Sequence, residues 1–139
     1  MNGRAFLTVA EELSQGSTEA HWRAAAGRAY YALLLEGLAA LEVWGILNTA
    51  GQSVHAFVRL RFTFAADRDL KTVGYALDEL VRLRNEADYR LAMPGSFGNS
   101  IESARAISTA KVNLARLDQV AGDPQRRVAA VADIQARWP

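Results

Sequence analysis

Proline is absent from the first 93 residues of this 139-residue chain, and this absence constrains the fold more than any other feature. The three prolines are Pro94, Pro124 and Pro139. Proline is the strongest helix breaker and alanine the best helix former, and alanine occurs 26 times in the chain. A long proline-free stretch rich in Ala, Leu, Glu and Arg is therefore predicted to be helical.

Apolar residues recur at three- and four-residue steps along the chain, which is the period of an amphipathic helix. No alternating strand pattern runs for more than a few residues. The periodicity predicts helices over about residues 4–14, 19–44, 53–64, 70–91, 101–121 and 124–138. The predicted fold is all-α: an antiparallel, up-and-down bundle of four to five helices over residues 1–122, with a short C-terminal helix over 123–139 that extends the same domain.

Short polar residues are predicted to mark the starts of the helices, because their side chains can accept a backbone N–H of the first turn. The candidate N-caps are Ser17 or Thr18, Ser53, Ser100 and Asp123. Pro124 follows Asp123 at the first helical position, where proline is favoured. Residues 65–69 are predicted to be a loop or a frayed helix end, and residues 93–99 a loop.

Composition argues against several classes of protein. The chain carries 16 basic and 15 acidic residues, a net charge of +1, so a strongly basic nucleic-acid-coating protein is not expected. With no cysteine and two histidines, it can form neither a disulfide framework nor a thiolate or three-histidine metal centre. No signal peptide or membrane span is recognisable, so we predict a cytoplasmic protein with no metal, no cofactor and no membrane contact.

Two segments contain candidate functional residues, since no phosphate-binding glycine loop, zinc-protease motif or activated serine is recognisable. The first is Arg-Ala-Tyr-Tyr-Ala at 28–32, in the second helix. Adjacent residues point about 100° apart on a helix, so one tyrosine can pack in the core while the other reaches an edge. The sequence leaves open which of Tyr30 and Tyr31 does so, and both could simply fill a helix interface.

The second segment is Arg-Leu-Arg-Asn-Glu-Ala-Asp-Tyr-Arg at 82–90, late in the fourth helix. Residues four apart could form ion pairs on a solvated face: Arg82–Glu86, Arg84–Asp88 and Glu86–Arg90. Arg84 and Asp88 continue the apolar stripe of this helix, which predicts a position near the bundle interior or a subunit interface. There they form either a structural ion pair or, with Asn85 and Tyr89, a site that orients a phosphate.

With Ser-Val-His-Ala-Phe at 53–57 in the third helix, these segments resemble the HEPN superfamily of small helical domains, over roughly residues 5–120. The resemblance is to the branch with Arg-Ala-Tyr-Tyr-Ala in an early long helix, a His-containing third helix and Arg-x-x-Ala-Asp-Tyr late in the fourth. It implies a homodimer. Many HEPN proteins are metal-independent ribonucleases in which four to six residues separate an Arg from a following His, and they are often toxins paired with a nucleotidyltransferase-like antitoxin.

In this sequence Tyr89 stands where the family's histidine is expected, whether counted from Arg84 or from Arg82. Imidazole is well suited to move protons near neutral pH, and a phenol is a poor general base. We therefore expect a dimeric module, related to toxin–antitoxin or defence systems, that binds RNA, a nucleotide or a partner protein. The residues expected to line its ligand-binding or dimer cleft are Arg82, Arg84, Asn85, Asp88, Tyr89, Tyr30 and Tyr31.

Two alternative functions remain open. One is a divergent endoribonuclease toxin in which Arg84 stabilises the cleaved phosphate and His55 or Tyr89 assists proton transfer. His55 could equally be a residue that packs between helices. The other alternative is a structural protein–protein adaptor, suggested by the Leu/Ala seam and by three tryptophans predicted to be exposed, Trp22, Trp44 and Trp138.

Overall fold

The computed structural model describes residues 2–92 and 95–139, and these residues form six α-helices. The helices are α1 (Arg4–Ser14), α2 (Glu19–Val43), α3 (Val54–Thr63), α4 (Arg68–Tyr89), α5 (Ile101–Gly122) and α6 (Pro124–Arg137). A 3-10 turn at Gly95–Phe97 precedes α5, and no strand occurs in the described ranges. The all-α prediction is confirmed, and every predicted helix is present. Met93 and Pro94, where the predicted loop begins, lie outside the described residues.

Side-chain caps define where several helices begin. The Thr18 hydroxyl accepts the backbone N–H of His21 at 3.3 Å, at the start of α2. The Ser53 hydroxyl accepts the N–H of Ala56 at 3.2 Å, at the start of α3. Asp123 caps α6 directly before the proline of its first turn. These predicted N-caps are confirmed, because each is a contact within three residues that the local sequence specifies.

Two helix starts differ from their predictions. Helix α4 begins inside the predicted 65–69 loop, because the Asp67 carboxylate accepts two backbone N–H groups of its first turn. The Ser100 hydroxyl makes no capping hydrogen bond, so the prediction of Ser100 as a side-chain cap is wrong. Its backbone is not in the extended conformation that a capping side chain needs. Asn99 accepts the N–H of Ile101 at 2.9 Å instead.

Helix α2 lies at the centre of the bundle and packs against α1, α3, α4 and α5. Its buried residues lie on several sides, as expected for a helix surrounded by others; among them are Ala25, Ala26, Ala29, Tyr30, Leu33, Leu34 and Leu41. Gly37 lets α3 approach closely, because a Cβ at this position would lie 2.9 Å from Val58 Cγ1. Although α2 is 25 residues long, none of the described helices combines the length and apolar character needed to cross a membrane.

Helices α2 and α4 run antiparallel. Arg23, near the start of α2, contacts the last turn of α4, whereas Tyr31, two turns further along α2, contacts Arg84. Helices α1 and α5 are also antiparallel, as shown by their ion pairs Arg4–Asp118 and Glu11–Lys111. The antiparallel arrangement places the candidate segment of α4 beside the candidate segment of α2.

The C-terminal helix α6 is held to the bundle by apolar packing and by polar contacts. It packs against α5, and its buried residues are Ala130 and Ile134. Arg126 forms ion pairs with Asp67 and Asp69, each at 2.9 Å. Asp133 accepts the backbone N–H of Ala66 at 2.8 Å. These contacts join α6 to the connection between α3 and α4.

The three tryptophans are packed, so the prediction that they are exposed is wrong. Trp44 is buried, and Trp22 and Trp138 are half-buried against the core. The Trp22 indole donates to the Gly16 carbonyl at 3.0 Å, and the Arg61 guanidinium lies 4.3 Å from the ring centroid of Trp138. The sequence pattern revealed neither partner: Gly16 lies in the turn before α2, and Arg61 belongs to α3. The adaptor alternative was based on the Leu/Ala seam and on exposed tryptophans, and the tryptophans no longer support it.

Candidate functional site

Arg84 projects from α4 towards α2 and is held by side chains of both helices. Its Nη2 donates to the Tyr31 hydroxyl at 2.9 Å, and its Nη1 donates to Asn85 Oδ1 at 3.3 Å. Its Nε lies 2.9 Å from Asp88 Oδ2, out of line for a hydrogen bond but within ion-pair distance. The Arg84 side chain is 22% exposed. The guanidinium therefore lies at a partly desolvated rim, neither in the core nor free in water.

The two adjacent tyrosines have different partners, which answers the question that the sequence left open. Tyr31 is half-buried and contacts Arg84, whereas Tyr30 is buried and its hydroxyl lies 3.0 Å from His55 Nδ1. The two phenol rings are themselves in contact, with centroids 5.0 Å apart. A continuous chain of contacts therefore links α3, α2 and α4.

Burial keeps the Tyr30–His55 pair neutral. It raises the pKa of Tyr30 to about 12, with a smaller contribution from Tyr31. Burial also lowers the pKa of His55 from its ordinary 6.5; the charge of Arg59 adds to this effect and that of Asp78 opposes it. At pH 7 the contact therefore joins a phenol to a neutral imidazole.

A line of aromatic rings and guanidinium groups crosses α1, α2 and α4, and we call it the aromatic–guanidinium stripe. Its members are Arg28, Phe6, Tyr31, Arg84 and Tyr89. The Arg28 guanidinium lies 5.6 Å from the Phe6 ring centroid, and the Phe6 centroid lies 6.3 Å from that of Tyr31. The Arg84 guanidinium lies 5.5 Å from the Tyr31 centroid and 5.7 Å from that of Tyr89, within cation–π range. Tyr89 is 71% exposed and Arg28 is exposed, so both ends of the stripe face solvent.

Two members of the stripe were not among the predicted site residues. Arg28 lies one turn before Tyr31 and opens the Arg-Ala-Tyr-Tyr-Ala segment, so its place on this side of α2 could have been read from spacing. Phe6 belongs to α1, and only the packing of α1 on α2 brings its ring to Tyr31. No periodicity within one helix could have identified that contact.

Arg82 lies apart from the stripe, on the side of α4 that faces α5. It is 78% exposed and pairs at 2.8 Å with Asp78, one turn before it. It lines an open cavity of about 720 Å³ between α4 and α5.

The other two ion pairs considered for this segment, Arg82–Glu86 and Glu86–Arg90, do not form among the described residues. Glu86 instead accepts the backbone N–H and the hydroxyl of Ser96, both at 3.0 Å.

Arg23 supports the site in a way that the sequence pattern does not indicate. It is 7% exposed on α2 and donates to backbone oxygens at the end of α4: Glu86 and Ala87 at 2.9 Å and Arg90 at 3.0 Å. The Glu86 carbonyl also accepts the backbone N–H of Arg90. The carbonyl groups of Ala87 and Arg90 accept no backbone N–H among the described residues, as is usual at the end of a helix, so Arg23 provides their donor. Its ion pair with Glu19 at 2.7 Å is the local signal that could have drawn attention to it.

The chemistry available at Arg84 is anion binding. A guanidinium has two N–H groups on each terminal nitrogen, and the contacts to Tyr31 and Asn85 use one on each. The described residues provide no hydrogen-bond partner for the second N–H of either nitrogen. A planar fork with spare donors is suited to phosphate oxygens. No group of three metal-binding side chains is found in the described ranges.

Comparison of the chain with protein-family models, with curated proteins and with solved structures found no match. No relative therefore supplies a substrate, a partner or a catalytic residue.

Proposed function

We propose that this chain is a HEPN-type helical module that forms a homodimer and binds the phosphate groups of RNA or of a nucleotide at Arg84. One observation carries the proposal: the three segments that resemble the family, which lie far apart in the chain, contact one another. Tyr31 of the first segment holds Arg84 of the third, and Tyr30 of the first contacts His55 of the second. Convergence of titratable and cationic side chains from separate elements is typical of a functional site.

The arrangement around Arg84 suits a phosphate bound next to a base. Tyr31 and Asp88 already hold the guanidinium in place, so less side-chain entropy is lost when a ligand binds. The exposed ring of Tyr89 offers a face on which an unpaired base can stack. Binding needs only these groups, whereas the family's cleavage reaction also needs the histidine that Tyr89 replaces.

A divergent ribonuclease is the second candidate, and His55 is the observation that favours it. The His55 imidazole is neutral at pH 7 and so has a ring nitrogen that can accept a proton, although the burial that lowers its pKa also weakens it as a base. Through Tyr30 and Tyr31 it is linked to Arg84, which would stabilise the charge on the cleaved phosphate. Expression in bacteria tests this function: growth arrest and cleaved RNA should be lost in both His55→Gln and Arg84→Gln. Normal growth with intact RNA on overexpression of the wild type would exclude it.

The binding function is tested by titrating labelled RNA and nucleotides into the wild type, Arg84→Gln and Arg82→Gln. Arg82 is the control, because it is an arginine of the same helix that lies outside the stripe. A hydrogen bond to a charged group contributes about 1.5–3 kcal/mol, so Arg84→Gln should lower the affinity by about tenfold or more. Light scattering should give the mass of a dimer. A monomer that binds neither RNA nor nucleotide would contradict the proposal.

A further inference from the structure

Arg28 carries a positive charge that no carboxylate neutralises among the described residues. The positions one turn away from it on α2 are alanines or a tyrosine: Ala24, Ala25, Tyr31 and Ala32. Several other arginines of the chain, Arg84 among them, have an acidic residue one turn away. The contact that Arg28 does make is to the face of Phe6, and its side chain is exposed. The Arg28 guanidinium is therefore an accessible positive charge that packs against the ring of Phe6.

The rings of Phe6 and Tyr31 lie between Arg28 and Arg84. The contacts from Arg28 to Phe6, from Phe6 to Tyr31 and from Tyr31 to Arg84 are unbroken, so both guanidinium groups belong to one surface. Both residues are half-buried, so each keeps part of its surface accessible to solvent. The surface therefore has a cation on either side of two aromatic rings.

We propose that Phe6 and Arg28 form a second subsite, which takes the base and phosphate next to those held at Arg84, so that the ligand is a single-stranded oligonucleotide. This inference rests on the proposed function. Proteins that bind single strands combine cations that follow the backbone with aromatic rings on which successive bases stack. A mononucleotide has one phosphate position and one base, and it would leave Phe6 and Arg28 unused.

Other phosphate ligands fit this surface less well. A duplex keeps its bases paired and stacked, so the rings of Phe6 and Tyr31 could not reach their faces. A phosphopeptide is recognised by arginines clustered around one phosphate, whereas here two rings separate the two guanidinium groups. The single strand is the ligand that uses all members of the stripe.

The test compares adenosine monophosphate with a labelled oligoadenylate of about eight nucleotides, a length typical of single-strand sites. The full chain, Arg28→Gln, Phe6→Leu and the control Arg82→Gln are titrated with both ligands. Arg28→Gln and Phe6→Leu should each weaken oligonucleotide binding by about tenfold, and leave monophosphate binding within about twofold of the wild type. The dependence of affinity on salt should also become shallower in Arg28→Gln, by about 0.7 in the slope of log K against log salt. Thermal unfolding of each variant checks that the fold is intact.

The outcomes separate this inference from the proposed function. Arg84→Gln should weaken binding of both ligands. If Arg84→Gln weakens binding of both ligands, and Arg28→Gln and Phe6→Leu bind the oligonucleotide as tightly as Arg82→Gln does, the second subsite is wrong and the proposed function stands. A wild type that binds neither ligand overturns both proposals. Equal affinity for a duplex and a single strand overturns the second subsite.

Discussion

Arg84 owes its orientation to side chains of two helices. Tyr31 holds one terminal nitrogen, Asn85 holds the other, and Asp88 lies against Nε. A guanidinium is planar and presents its donors in fixed directions, whereas the ammonium of lysine is a point charge on a flexible stem. The site should therefore depend on the shape of the group at position 84 as well as on its charge.

Arg84→Lys tests this dependence on shape. The variant keeps the positive charge. An ammonium group cannot donate to the Tyr31 hydroxyl and also present two coplanar N–H donors to a phosphate. We therefore expect the affinity for the phosphate ligand to fall by about fivefold or more. Fluorescence anisotropy with labelled RNA measures the change, and Arg82→Lys is the matched control. Wild-type affinity in Arg84→Lys would show that charge alone is sufficient.

The burial of His55 makes the stability of the fold depend on pH. Burial lowers the pKa of His55 from 6.5, so the folded chain resists a proton that the unfolded chain accepts. As the pH falls below 6.5, the free energy of unfolding decreases, and the decrease is complete below the folded pKa. Above that range the imidazole is neutral in both states and contributes no dependence on pH.

We predict that the free energy of unfolding falls between pH 7 and about pH 5 in the wild type, and falls less in His55→Gln. Urea unfolding at constant ionic strength measures both values. Tyr30→Phe is the control, because it removes the hydroxyl and leaves the imidazole buried, so its dependence on pH should persist. An unchanged dependence in His55→Gln would assign the effect to another group.

At the scale of helices, Arg23 joins the beginning of α2 to the end of α4. It donates to the carbonyl groups of Ala87 and Arg90, which accept no backbone N–H among the described residues, and to that of Glu86, which also accepts the Arg90 N–H. The last turn of α4 carries Asp88 and Tyr89, so Arg23 helps to hold the candidate site in place from outside the stripe.

Arg23→Met should lower the free energy of unfolding by about 2–4 kcal/mol, because methionine retains much of the buried volume but leaves the Ala87 and Arg90 carbonyl groups without their Arg23 donor. Faster amide hydrogen exchange in the last turn of α4 should accompany the loss. Arg105→Met, at an exposed position on α5, is the control and should change stability by less than about 0.5 kcal/mol. Unchanged exchange in Arg23→Met would mean that the turn is held by other contacts.

The space around Gly74 of α4 and Gly27 of α2 shows how closely α4 packs against α3 and α2. A Cβ at Gly74 would lie 2.5 Å from the backbone nitrogen of Thr63, so α3 and α4 cross nearly backbone to backbone. A Cβ at Gly27 would meet Arg84 Cγ at 4.0 Å, an ordinary contact. The same substitution should therefore have opposite effects at these two positions.

Gly74→Ala should lower the free energy of unfolding by about 1–3 kcal/mol, since the backbone of α3 must move. Gly27→Ala should raise it by up to about 1 kcal/mol, because alanine is the better helix former and there is room for its methyl group. Urea unfolding of both variants measures the difference. Destabilisation by Gly27→Ala would show that Arg84 needs more space than a methyl group leaves.

At the scale of the whole molecule, the proposed dimer would bring two copies of the stripe together. Tyr89 is exposed at one end of the stripe, and Tyr75 is similarly exposed on the side of α4 that faces α5. The two tyrosines therefore mark different surfaces of one helix. If the two stripes line one shared cleft, a glutamate introduced at its rim lies near the same glutamate of the second copy, and the like charges repel.

Tyr89→Glu should convert the dimer to a monomer, whereas Tyr75→Glu should remain dimeric. Light scattering over a range of concentrations measures the mass, and circular dichroism checks that both variants stay helical. If Tyr75→Glu dissociates and Tyr89→Glu does not, the copies meet through the cavity between α4 and α5, and the proposed interface is wrong.

The sequence by itself determined the helices and most of their ends. The proline-free stretch indicated the helices, and the caps at Thr18, Ser53 and Asp123 indicated where three of them begin. Each cap is a contact within three residues, which the local sequence specifies. The cap at Asp67 is equally local, but the prediction overlooked it. Helical spacing also placed Arg84 and Asp88 on the inward stripe of α4, but only Arg84 is partly buried, at 22% exposed, whereas the Asp88 side chain is 41% exposed and lies at the rim.

Only the tertiary structure decided which side chains meet. The packing of α1, α2 and α4 determines three contacts: Tyr31 with Arg84, Phe6 with Tyr31, and Arg23 with the end of α4. The partners in these contacts are tens of residues apart, and helical periodicity specifies a face but not the neighbour that covers it. Local contacts therefore determine the helices, whereas the packing of one helix on another determines the site.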